Sequence, residues 1–108
     1  MTVVELERWL NTHIAELREQ LLNGSYRPQE VKGVSIPKPN GGRRQQGIPT
    51  AVDRMVQQAF VQVLTPILDP QMSESSYGFR PNRSAHQALK AGSPYAAQGN
   101  TVAVDLDL

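Results

Sequence analysis

Apolar side chains recur at steps of three and four along the first part of the chain, at Val3, Leu6, Leu10, Ile14, Leu17 and Leu21, with Trp9 and Leu22 widening the stripe. That spacing predicts an amphipathic helix over residues 3–22. Thr2 and Glu5 make a capping-box pattern at its start, and Gly24 stops it. A helix docked on a core or a partner helix accounts for this stretch, and no chemistry is evident in it. A second stripe, Val52, Met55, Val56, Ala59, Phe60, Val63, Leu64 and Ile67, predicts a helix that Thr50 caps. Asp53 sits in its first turn, near the positive end of the helix dipole. Pro66 and Asp69-Pro70 are expected to end or bend it.

Beyond that helix the periodicity breaks. "SESSYGFRPNRS" is rich in turn formers and reads as a loop, after which Ser84 and Gln87 cap a short helix, "AHQALK". Gly92, Pro94 and Gly99 predict that any helix in "AGSPYAAQGN" is short and interrupted. The last stretch, "TVAVDLDL", alternates with period two, which puts Val102, Val104, Leu106 and Leu108 on one face of an expected strand and Ala103, Asp105 and Asp107 on the other. A strand that stops on an apolar residue suggests the front piece of a longer protein.

Between the two long helices lies "IPKPNGGRRQQGIP", with three basic side chains and no acid. Asn-Gly between extended runs is a strong hairpin signal. With Asn40-Gly41-Gly42 as the loop, Val34 faces Ile48, Ile36 faces Gln46, and Lys38 faces Arg44. Like charges directly opposite one another cost up to about 1 kcal/mol, a cost most readily tolerated where an anion sits between them. An exposed hairpin whose cations serve solubility is the plainer account. Pro37 and Pro39 have the same parity, so their missing amides would both point to one side, as on a protected outer strand.

Composition sharpens this picture. The chain has 108 residues, 39% of them hydrophobic, and carries a formal charge of +1. The charge is segregated: −2 over residues 1–30, +5 over residues 31–90, and −2 over residues 91–108. The middle is thus a candidate polyanion surface. With no cysteine there is no disulfide framework or thiolate metal site. The charged start excludes a signal peptide and no apolar run reaches membrane length, so a cytoplasmic location and no membrane partner are expected. Asp105 and Asp107, about 7 Å apart on a strand face, could share a magnesium site, although a solvated strand face accounts for the same pattern. His13 and His86 have no metal-ligand spacing between them and read as surface or packing residues.

From about residue 25 onward, "IPKPNGG", "GIPTAVDRMVQQA", "SYGFRPNRSAHQAL" and "VAVDLDL" together resemble the front of a reverse transcriptase of the group II intron-encoded, maturase type. The resemblance implies an α+β fold, the fingers subdomain of a right-hand polymerase. It divides the chain into an N-terminal helical extension (1–24), a fingers region (25–98) and an incomplete first palm strand (99–108). It implies that Lys38 and Arg44 hold the incoming nucleotide triphosphate. Phe79 and Arg80 would lie close to the templating and incoming bases. From charge alone, Arg43, Arg44, Arg80 and Arg83 are expected to bind RNA weakly and non-specifically through its phosphates. Asp107 would be a catalytic metal-binding aspartate, with the carbonyl of Leu108 as a secondary metal ligand. The implied cofactor is Mg²⁺, two ions in a complete active site.

The implied partners are template RNA, primer DNA, intron RNA and deoxynucleotide triphosphates. The palm motif that carries the remaining carboxylates is absent, so the chain by itself is expected not to polymerise. Two rivals stay open, a non-catalytic RNA-binding module and a reverse transcriptase of a defence or diversity-generating system. The apolar face of the last strand, or the surface of the second helix, is also expected to drive homodimerisation.

Overall fold

The computed structural model describes all 108 residues. Its elements run α1 (Val3–Asn23), β1 (Lys32–Pro37), β2 (Arg43–Ile48), α2 (Ala51–Leu68), a 3₁₀ turn (Asp69–Gln71) and α3 (Ala85–Ala97). Three helices and one two-stranded antiparallel sheet make this an α+β chain. Two compact units divide it, Met1–Val63 and Leu64–Leu108. No helix is long and apolar enough to cross a membrane.

In the first unit, α1 begins with the expected capping box. The Thr2 hydroxyl accepts from the Glu5 amide at 3.3 Å, and the Glu5 carboxylate accepts from the Thr2 amide at 2.6 Å. Those two bonds satisfy amides that the first turn would otherwise leave without partners. The Thr2 amide, and after it the Thr2 hydroxyl, also hold the Glu5 carboxyl below its usual range. Gly24 closes the helix in the left-handed conformation. The core of this unit is small: Leu17 of α1 and Ala51 and Val56 of α2 are its buried apolar residues.

The hairpin forms in a register two residues away from the expected one. Lys32 pairs with Ile48, Val34 with Gln46, Ile36 with Arg44 and Pro37 with Arg43, so Lys38 does not face Arg44 directly. The loop is Pro39-Asn40-Gly41, shifted by one from Asn40-Gly41-Gly42. The Lys38 amide donates to the Gly42 carbonyl at 2.6 Å, and the Gly41 amide donates to the Lys38 carbonyl at 3.2 Å. The physical reason lies in the proline. Its fixed φ suits the second position of the Lys38–Gly41 turn, and Gly41 at φ +90° supplies the left-handed residue that closes a three-residue loop. Because 38 and 42 are hydrogen-bonded partners, alternation makes Pro37 and Arg43 a non-hydrogen-bonded pair. The amide that Pro37 lacks therefore lies on the outer side of β1, as its parity suggested. Gly47 is also required: a Cβ there would come within 2.9 Å of the Val31 side chain.

Three further expectations are corrected. In α2 only Val56 of the predicted stripe is buried, Val52 and Met55 are half-buried, and Ala59, Phe60, Val63, Leu64 and Ile67 are exposed. Periodicity identifies a helix face but does not guarantee that another element lies against it. Next, α3 does not stop at Lys90 but continues through Gly92 and Pro94 to Ala97. It is exposed along this stretch, so water can satisfy the carbonyl that proline leaves without a donor.

Last, residues 99–108 form no strand, and Val102, Val104, Leu106 and Leu108 are exposed. Alternation makes a strand only when a neighbour takes up its amides and carbonyls, and β1 and β2 pair only with each other. As expected of Asp69-Pro70, α2 ends at Leu68 and tightens into the 3₁₀ turn, with Pro66 inside its last turn.

Candidate functional site

The exposed hairpin carries the most concentrated positive charge of the first unit. In the observed register Lys38 and Arg44 have the same parity, and the space above Gly42 on that face is bordered by the Lys38 Cδ, 3.5 Å from where a Cβ would stand. Lys38 and Arg44 therefore share a face as diagonal neighbours, a separation that long side chains can span. Arg43 lies on the other face, where its Nε donates to the Ser35 hydroxyl at 2.7 Å. Neither Lys38 nor Arg44 has an acidic partner, and both are exposed.

Beneath the hairpin lies an arrangement that sequence reading did not anticipate. Asp53 is 4% exposed and forms no ion pair. Three neutral donors hold its carboxylate: the Tyr26 hydroxyl on Oδ1, and the Gln29 amide (3.0 Å) and the Thr50 hydroxyl (2.8 Å) on Oδ2. Thr50 also caps α2, its Oγ1 accepting from the Asp53 amide at 3.2 Å. Burial by itself would raise the carboxyl's pKa, but the three hydrogen bonds outweigh it and the net shift is downward. Burial, the bond to Asp53 and the nearby negative charge together push the Tyr26 phenol up to about 12.

Next to this cluster is a cleft of about 310 Å³ bordered by Trp9, His13, Tyr26, Arg27 and Asp53. Trp9 and His13 stack there with ring centroids 4.5 Å apart, so His13 is a packing residue. An aspartate in a helix's first turn reads as a cap. Its further partners, 24 and 27 residues away, carry no local signal.

In the second unit the loop between the 3₁₀ turn and α3 is organised by Arg80. Its side chain is 7% exposed, with Nε 2.8 Å from Asp69 Oδ1. The rest of the guanidinium donates to the carbonyls of Asp69, Ser73 and Ser76. Four bonds to its own loop leave little of Arg80 for a nucleotide. It acts as a bracket for the loop.

Beside it Phe79 is fully exposed and adopts φ +54°, a left-handed conformation uncommon for a bulky residue. Arg83 donates to the Glu74 carbonyl and carboxylate, both at 2.9 Å, and its guanidinium carbon lies 5.2 Å from the Tyr77 ring centroid. Tyr77, Asn82, Arg83, Gln87 and Lys90 border an open cleft with two cations and no acid.

Asp107 and Leu108 lie in exposed, irregular chain. Both offer oxygen donors of the kind magnesium prefers, but no group of three or more metal-ligating side chains exists anywhere in the structure. These two residues do not by themselves make a magnesium site.

Comparison with known proteins decides the family. Residues 36–108 match the reverse transcriptase (RNA-dependent DNA polymerase) family. The chain belongs to the reverse transcriptase family. It is 42% identical over 85 residues, 79% of its length, to protein YkfC of Escherichia coli, and 41% identical over 78 residues, 71% of its length, to the group II intron-encoded protein LtrA of Lactococcus lactis. Over 58 residues, 54% of its length, it is 40% identical to a 91 kDa protein in the cob intron of Schizosaccharomyces pombe. The matched region spans 22%, 13% and 7% of those three proteins. The group II intron resemblance carried by the sequence motifs agrees with these names.

Proposed function

We propose that this reverse-transcriptase chain contributes nucleotide and template binding to an RNA-directed DNA polymerase of the group II intron type. The observation that carries the reading is the hairpin. Lys38 and Arg44 stand together on one exposed face without acidic partners, an arrangement suited to a polyphosphate. Phe79 and the cleft of Arg83 and Lys90 suit a single-stranded template. An exposed aromatic offers a stacking surface to a base, and nearby cations attract its backbone. Arg80 serves this indirectly, by fixing the loop from which Phe79 projects. Arg43 lies on the opposite hairpin face and is assigned to RNA backbone.

The resemblance implies a two-magnesium reaction on palm carboxylates, of which Asp107 would be one. Asp107 and Leu108 alone do not form a site for the ion.

Titrating the ¹⁵N-labelled chain with a deoxynucleoside triphosphate and following its amide resonances tests the hairpin assignment. Shifts confined to residues 36–46, and lost in Lys38→Ala and Arg44→Ala, are expected. Shifts elsewhere, or shifts indifferent to both substitutions, would overturn it.

A further inference from the structure

We propose that Asp53 is a positioning residue for the basic hairpin, holding both of its roots and thereby fixing the direction in which Lys38 and Arg44 point. The inference rests on the triphosphate reading only for its functional consequence.

The hairpin is a cantilever. β2 is exposed throughout and β1 everywhere but at the half-buried Val34 and Ser35, and no helix packs along either face. Only its base, at Lys32 and Ile48, borders other elements, in a cleft shared with Met1, Trp9 and Arg54. A two-stranded ribbon has no sheet to stiffen it, so its orientation is decided where the chain enters and leaves. The incoming chain passes Tyr26 and Gln29 before β1, and the outgoing chain passes Thr50 after β2. All three donate to the one carboxylate of Asp53, which α2 carries in its first turn. One buried side chain thus ties both roots of the ribbon to the start of a helix.

The chemistry explains why the residue is an ionised aspartate. Three converging donors need an acceptor-only group with two oxygens, and a carboxylate supplies it. Asparagine would replace one acceptor oxygen with an NH₂ that faces donors. With the NH₂ in the place of Oδ1 the bond from Tyr26 would be lost, and in the place of Oδ2 those from Gln29 and Thr50, although the side chain keeps its shape. A cation in ion-pair contact with Asp53 would compete for these lone pairs, and none makes one.

The absence of cysteine allows a direct test. Spin labels on Asn40→Cys at the hairpin tip and Gln58→Cys on the exposed side of α2 report the distance between ribbon and helix by pulsed electron paramagnetic resonance. The parent chain should give one narrow distribution. Asp53→Asn should roughly double its width, while helical circular dichroism and the protection of cross-strand amides are retained. Tyr26→Phe should widen it less. Binding of inorganic triphosphate should weaken about fivefold in Asp53→Asn, since the cations stay but their aim is lost.

An unchanged width in Asp53→Asn would overturn the proposal. So would widening accompanied by loss of cross-strand protection, which would signify general unfolding. If Asp53→Asn does not fold, Tyr26→Phe decides on the same criterion. Lys38→Ala separates the two readings: triphosphate binding that ignores Lys38 defeats the hairpin's assigned ligand, while the width measurement still judges the anchor.

Discussion

Asp53 and Arg80 solve the same problem in opposite ways. Each is a charged side chain almost withdrawn from water, and each holds an irregular stretch of backbone that displays exposed functional candidates. Asp53 has no ion partner and gathers three neutral donors; Arg80 has an ion partner and also gathers three carbonyls. The acceptor-only carboxylate suits a place where two chain segments and a helix cap converge with donors outward. The guanidinium fork suits a loop that curls round and points its carbonyls inward. The difference teaches that the sign of a buried charge follows from which backbone groups the local chain leaves without partners.

The largest expected effect tests the Arg80 side of this comparison. Arg80→Ala leaves the Asp69 carboxylate and three carbonyls without their shared donor, and should lower the local opening free energy of residues 72–83 by about 3 kcal/mol. Amide hydrogen exchange measures it. Arg80→Lys should fall between, because an ammonium cannot span the four acceptors. A loop equally protected in Arg80→Ala would show that the bracket is incidental.

The Asp53 side is sharpened by pH. Its carboxyl is held below the ordinary 3.8, so the stabilisation it brings is complete above that value and is lost as pH falls through the lower folded value. Tyr26 has the opposite sign. Its phenol is raised from 10.0 to about 12, so its contribution is complete below pH 10 and disappears as pH rises towards 12. Thermal unfolding followed across both ranges should show both losses. Tyr26→Phe should cost about 1 kcal/mol near neutrality and remove the alkaline loss. An alkaline loss that persists in Tyr26→Phe would place its origin elsewhere.

The smallest effect concerns strain. Phe79 occupies the left-handed region at φ +54°, which costs about 1 kcal/mol or more in a bulky residue. Phe79→Gly should therefore be near neutral for loop stability, relief of strain offsetting the added freedom of the unfolded chain. RNA binding should weaken in the same variant, as titration by fluorescence anisotropy would show. A clear loss of stability would mean that the ring packs in a way its exposure does not reveal.

Much of the molecule was legible in the residues alone. The capping boxes at Thr2 and Ser84, the Gly24 stop and the hairpin depend on contacts within a few positions, so local chemistry determined them. Motif content was likewise sufficient for the family. Register was less secure, because Asn-Gly and Pro-Asn-Gly describe overlapping loops and the choice between them rests on how proline's φ fits the turn.

Tertiary structure alone decided the rest. Whether Phe60, Val63, Leu64 and Ile67 would be covered depends on what lies opposite them, and periodicity contains no information about that. Whether "TVAVDLDL" pairs depends on a neighbouring strand. That Asp53 would be a hub and Arg80 a bracket depended on donors and acceptors brought from 24, 27 and 11 residues away. A one-dimensional pattern records which groups need partners; only the folded chain determines which partners come within hydrogen-bonding distance.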